Sequence, residues 1–173
     1  MKNLLLLLLV FITISCSCNM QEWYINPWDI DSSDISKLPN FKTFIENPNT
    51  SISKKIQYFQ EYIDKNIKYK LPENIFNIQF PQETLDKRSG ECKAKAVLLI
   101  ALCYKYLNIK GNYVGLHKEG ELIGHVVMAY NGYYYNSTNS SILKIKDSNY
   151  IISIYVYFNE LSDYINYNNS TYH

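Results

Sequence analysis

The sequence predicts an α+β domain in which one central helix packs on an antiparallel sheet. Three observations predict it. Apolar residues recur at helical spacing over 52–67 and 91–107, β-type residues take over after Gly111, and Asn131-Gly132 marks a two-residue hairpin. Helices first and strands afterwards indicate a sheet with its helices gathered together, rather than parallel strands alternating with helices. The chain has 173 residues, 47% hydrophobic and 15% aromatic, enough to bury the core of one domain. Its formal charge of +1 provides no field for a polyanion, so nucleic-acid binding is not expected. The 17 tyrosines point to no function by themselves.

The first element is a processing signal. Lys2 precedes an apolar run over residues 4–14, then Ser15 and Cys16. That run is too short to cross a bilayer as a helix, which needs about 20 apolar residues. The segment resembles a bacterial lipoprotein signal, cut so that Cys16 becomes a lipidated first residue and residues 1–15 are removed. Thr13 departs from the apolar residue usual three places before that cysteine, so Cys18 and an ordinary secretory signal stay open. Every version places the mature domain outside the cytoplasm, and the lipidated one gives it a membrane as partner.

Residues 16–50 hold Pro27, Pro39 and Pro48 among many Asn, Asp and Ser, with Trp23, Trp28, Phe41 and Phe44 scattered between them. They read as a tether followed by irregular or short helical structure packing on the main domain, residues 51–173. In that domain Ile56, Phe59, Tyr62, Ile63 and Ile67 predict an amphipathic helix over 52–67. Residues 69–81, with Pro72 and Pro81 and no sustained period, read as a connecting loop near the site. The central helix is predicted over 91–107, with Cys92, Ala96, Leu99, Cys103 and Tyr106 on one stripe. Lys93, Lys95 and Lys105 mark its solvent side, and Asn108 and Gly111 end it. Strands follow over 111–116, 122–130, 133–136 and 150–158, with a short helix over 160–165.

Two of the four cysteines, Cys92 and Cys103, fall in the folded part. Eleven residues apart on one helix, they stand about 16 Å apart along its axis, too far for a disulfide. Cys103 reads as a core residue. Cys92 follows Ser89-Gly90-Glu91 at the helix start, where unpaired N–H groups and the positive dipole end favour thiolate. His125 and Asn136 come later, in the order of a Cys-His-Asn nucleophilic site. If Asn131-Gly132 is a two-residue turn, Tyr130 pairs with Tyr133 and Val127 stands opposite Asn136. Asn136 is then the diagonal neighbour of His125 on the same face, about 7 to 8 Å away at most between Cβ atoms. Asn139 points to the opposite face.

In this arrangement Cys92 attacks a carbonyl, His125 takes and returns the proton, and Asn136 holds the imidazole in its productive tautomer. First-turn N–H groups would stabilise the oxyanion, with Gln79 and Gln82 open as a second donor. Metal binding is not expected, since Cys92, Cys103, His117, His125 and His173 form no close ligand pair in the sequence. No cofactor is expected either.

These residues resemble the transglutaminase-like superfamily. The pattern Gly-x-Cys-x-x-x-Ala is met by Gly90, Cys92 and Ala96, the histidine by His125, and the third member by Asn136-Ser137-Thr138. The resemblance extends through Ile67-Lys68-Tyr69, residues 83–88 and Leu107-Asn108-Ile109, covering roughly residues 52 to 140. It implies a transglutaminase-like, papain-like fold with Cys92, His125 and Asn136 as catalytic residues. Three departures stand out: Val127 where an aromatic is frequent, Asn136 where Asp is usual, and Lys93 and Lys95 where acidic or polar residues are common. Asn still orients an imidazole but supplies no charge to stabilise imidazolium.

The superfamily includes crosslinking enzymes, peptidases, amidases and inactive relatives. The expectation for this chain is an extracytoplasmic cysteine-dependent acyl-transfer enzyme acting on a peptide or protein. It would hydrolyse amide or peptide bonds, or transamidate, through a thioester. The alternative is a binding or structural lipoprotein of the same fold without turnover.

Overall fold

The computed structural model describes residues 28–120, 124–147 and 149–171. The leader at residues 1–15 and the lipidation candidates Cys16 and Cys18 lie outside them, as does His173. Among the described residues, no helix is long and apolar enough to cross a membrane.

Among the described residues two short helices come first, α1 at Ser33–Ser36 and α2 at Phe41–Ile45. Ile30, Ile35, Phe41 and Ile45 are all buried in the same core as the later helices, so this stretch packs on the domain. Helix α3 runs Ile52–Asn66, one residue short of its predicted end. Ser51 caps it by accepting the Lys54 N–H, and Ile56, Phe59 and Ile63 are fully buried. Each of those three side chains contributes about 1.5 to 3 kcal/mol by leaving water.

Strand β1 (Lys68–Tyr69) pairs in parallel with β2 (Ser89–Gly90), and between them lies α4 at Pro81–Lys87. Residues 69–81, expected as a connecting loop, therefore begin in a strand and end on a helix start. Neither was visible as periodicity because a two-residue strand and a seven-residue helix are shorter than the window that reveals it. Pro81 sits at the first helical positions, where its missing N–H costs nothing, and Arg88 leaves the helix in the left-handed conformation at φ 48°.

The central helix, α5, spans Cys92–Leu107 with Glu91 as its N-cap. Every residue from Ala94 to Cys103 is buried, so the helix is enclosed on all sides rather than on one stripe. Lys95 corrects the sequence expectation: it is 2% exposed, not on a solvent face. Burial holds its ammonium below the ordinary lysine value, with Asp64 opposing. Asn108 closes the helix in the left-handed conformation, its N–H on the Tyr104 carbonyl at 3.0 Å and the Ile109 N–H on the Cys103 carbonyl at 3.2 Å.

Five antiparallel strands follow: β3 (Asn112–His117), β4 (His125–Tyr130), β5 (Tyr133–Tyr135), β6 (Ile142–Lys144) and β7 (Ile151–Val156). They lie in the order β6-β5-β4-β3-β7. Asn131 and Gly132 both have positive φ, 47° and 80°, and Tyr130 pairs with Tyr133 as the hairpin signal predicted. Strand β6 was not predicted, and the last helix, α6 at Phe158–Thr171, is longer than the expected 160–165. One face of the sheet packs on α5, burying Tyr113, Val126, Met128 and Tyr135 in the main core. On the other face Val114, Leu116, Val127, Ala129 and Tyr134 form a second apolar cluster.

Candidate active site

The thiol is set by two close approaches. Gly90 lies where an added Cβ would stand 2.8 Å from Ala94 Cβ and 3.3 Å from Thr84 Cγ2, so only glycine lets β2 run this close to the first turn of α5. Two residues later Cys92 starts the helix, 8% exposed. The backbone N–H of Val126, the residue after His125, lies near enough to favour the thiolate form of its sulfur. The start of β4, which carries His125, is thereby brought to the start of α5, which carries the sulfur.

The histidine's orientation is unambiguous. Its Nε2 lies 2.9 Å from Asn136 Oδ1, and the same Oδ1 accepts the Thr138 N–H at 2.9 Å. A backbone N–H can only donate, so the atom it meets is the carboxamide oxygen, and the imidazole must present Nε2–H to that oxygen. Nδ1 is left with the lone pair, the atom a base uses. The hairpin register explains the meeting: Met128 pairs with Tyr135, which carries Val127 opposite Asn136 and makes Asn136 the diagonal neighbour of His125. Strand β5 ends at Tyr135 rather than at Asn136, and Asn136 opens a turn closed by its own N–H on the Ser141 carbonyl at 3.0 Å. Asn139 is exposed and accepts the Ser141 N–H, which is local turn chemistry.

The electrostatics of the thiol run against the sequence expectation of a readily ionised cysteine. Burial first, and then the negative charge of Glu91, push the Cys92 thiol up to about 11. Glu91 Oε2 accepts from Sγ at 3.4 Å and from the Lys93 N–H at 3.2 Å. The backbone donors Val126 and Lys93 favour thiolate but are outweighed. The lysines do not rescue it. Lys93 Nζ is 3.6 Å from Glu91 Oε1 and hydrogen-bonds the carbonyls of Ile75 and Asn77, the latter at 3.1 Å, while Lys95 is buried. Among the described residues, no hydrogen bond joins Cys92 directly to His125.

Cys103 is fully buried, and burial alone pushes its thiol far up; both thiols are free. Gln79 and Gln82 are engaged elsewhere. The Gln79 amide donates to the Ser89 carbonyl at 2.9 Å, and Gln82 donates to Asp86 at 2.7 Å while accepting the Asp31 N–H at 2.6 Å. Sequence reasoning missed two parts of the site. One is the Thr138 N–H, foreshadowed by the Asn-x-Thr spacing that favours an Asx turn. The other is Lys93 as the tie to residues 75–77, for which no sequence signal existed.

A cavity of about 690 Å³ is bordered by Leu71, Asn77, Gln79, Phe80, Ser89 and Gly90, the last of these two residues before Cys92. Among the described residues, no three His, Cys, Asp or Glu side chains gather as metal ligands would.

A family model described as the transglutaminase-like superfamily matches residues 40–141, which include Cys92, His125 and Asn136. No curated protein matches the chain.

Proposed function

This chain belongs to the transglutaminase-like superfamily, and we propose that within it the chain is an extracytoplasmic thiol enzyme that hydrolyses amide or peptide bonds through a thioester on Cys92. The superfamily's fold is of the cysteine-dependent acyltransferase and peptidase type. The observation that carries the proposal is the 2.9 Å contact from His125 Nε2 to Asn136 Oδ1, with the Val126 N–H next to His125 acting on the Cys92 thiol.

The raised thiol makes general-base attack the mechanism, rather than attack by a standing thiolate. As a substrate carbonyl arrives, His125 Nδ1 takes the thiol proton while Sγ bonds to the carbonyl carbon. Asn136 Oδ1 holds the Nε2–H of the imidazolium that forms. The proton then passes to the departing amine, leaving a thioester. Water, deprotonated by the same imidazole, adds to the thioester and releases the acid and the thiol. The cavity bordered by Gly90, two residues before the nucleophile in the chain, is a space that a peptide can occupy. The apolar leader and Cys16 support a lipid-anchored protein at the cell envelope, and transfer to an amine instead of water is the same chemistry with a different acceptor.

The test is to incubate the protein with peptides and cell-envelope extract and measure its intact mass. An acyl adduct on the parent, absent from Cys92→Ala, is the expected result. Absence of any adduct, together with a Cys92 that iodoacetamide modifies only above about pH 10, would overturn it. The second reading, a binding protein without turnover, is favoured by one observation, the thiol held at about 11 by burial and Glu91. Labelling at pH 7 that disappears in His125→Ala decides for the enzyme.

A further inference from the structure

Helix α3 reaches the site through one buried amide. Gln60 is fully buried on that helix, and both protons of its Nε2 are used: one on the Asn136 carbonyl at 3.0 Å, the other on the Ser141 carbonyl at 3.1 Å. These are the two ends of the turn that carries Asn136, already closed by Asn136 N–H on Ser141. The orientation of the amide follows from its partners, since its oxygen in place of its nitrogen would face two carbonyl oxygens.

We infer that Gln60 is a positioning residue of the nucleophilic site, holding the 136–141 turn so that Asn136 Oδ1 meets His125. The inference rests on the reading of Cys92, His125 and Asn136 given above. Strand β5 ends one residue before Asn136, so sheet hydrogen bonds do not fix that backbone. Two hydrogen bonds from a buried amide do; without them the Asn136 carbonyl loses this donor and the Ser141 carbonyl keeps the Asn136 N–H, which would let the turn move. One helical turn on, Asp64 accepts from Ser140 Oγ at 3.3 Å on the exposed side of the same turn. That contact is solvated and adds little, so Gln60 and Asp64 separate a buried tie from an exposed one on one face of α3. Among the described residues Gln60 hydrogen-bonds neither the sulfur nor the imidazole, so it acts through Asn136.

The experiment measures the iodoacetamide rate of Cys92 at pH 7, located by peptide mapping, together with the ¹⁵N signals of the His125 ring. Gln60→Met is expected to lose at least ten-fold in rate, approaching Asn136→Ala, and to turn the Nε2–H tautomer into a mixture. Because Gln60 acts through Asn136, the double variant should be no slower than Asn136→Ala alone, and Asp64→Ala should keep the parent rate. If Gln60→Met does not fold, Gln60→Leu carries the same readouts. Parent rate and tautomer in the folded Gln60 variant would overturn the inference, as would a double variant slowed by the product of the two single losses. His125→Ala separates the two claims. If it leaves the Cys92 rate unchanged, the proposed function fails and this inference with it; if it slows Cys92 while the Gln60 variant does not, this inference alone fails.

Discussion

Glu91 Oε2 stands 3.4 Å from Cys92 Sγ, so the carboxylate that caps α5 also opposes ionisation of the thiol beside it. Replacing it should release the thiol in part. Glu91→Gln keeps the cap's acceptor oxygen and the shape while removing the charge. It should lower the thiol from about 11 and speed iodoacetamide labelling at pH 8 by several-fold, since each unit is tenfold in thiolate well below the midpoint. Burial, the largest cause, is untouched, so an ordinary free-thiol profile is not expected. A labelling rate unchanged or lowered in Glu91→Gln would contradict this account.

Asn136 orients the imidazole without charge, and the two substitutions at this position should part company. Asn136→Ala leaves the Nε2–H of His125 without its acceptor and frees the tautomer, so labelling of Cys92 at pH 7 should fall by roughly ten-fold or more. Asn136→Asp keeps the acceptor and adds a charge that stabilises imidazolium, so the neutral imidazole that acts as base is lost sooner on acidification and labelling should begin to fall at higher pH than in the parent. Equal profiles for the two variants between pH 5 and 8 would remove Asn136 from the mechanism.

The raised thiol has a consequence for stability. Its folded value of about 11 lies above the unfolded value near 8.5 to 9, so between those limits the folded chain holds the proton that the unfolded chain releases. Stability from this group is therefore complete below about pH 8.5 and is lost as pH rises through about 11, by about 2 to 3 kcal/mol. Tyrosines raised by burial act in the same alkaline range, which makes the comparison with Cys92→Ala the informative one. Urea unfolding from pH 8 to 11 should show a shallower decline for Cys92→Ala than for the parent. Parallel declines would mean that the thiol is not held protonated by the fold.

Gly90 is required by proximity, not by a left-handed backbone. Gly90→Ala brings a methyl to 2.8 Å from Ala94 Cβ, and both neighbours are short side chains with nowhere to swing. Overpacking of this kind costs about 1 to 3 kcal/mol, measurable by urea unfolding. It should also change Cys92 labelling, because relief of the clash displaces the first turn of α5. A variant within about 0.5 kcal/mol of the parent would show that β2 and α5 can separate freely.

Much of the fold was legible because the signals were long or local. Sixteen residues of α5 and fifteen of α3 repeat their apolar pattern often enough to be read, and Asn131-Gly132 encodes its hairpin in two φ angles. That turn fixed a register, and the register alone brought Asn136 to the diagonal of His125. What stayed hidden was short or depended on partners distant in sequence. Strands β1 and β2 have two residues each and exist only through each other. Lys95, three residues after Cys92 and four before Leu99, falls at the edge of the buried stripe, and its charge alone made it read as solvent-facing. Gln60 sits among the apolar positions of α3 at the spacing of a core residue, yet its two acceptors lie more than seventy residues away.

The order Cys92, His125, Asn136 and the faces they occupy came from the chain by itself, because helix starts, pleat alternation and tight turns are decided by neighbouring residues. The state of the thiol did not. A helix start favours thiolate, but burial under β4 and the folding back of the Glu91 carboxylate reverse that preference. Charge and desolvation act through space, and only the tertiary structure determines which groups share that space.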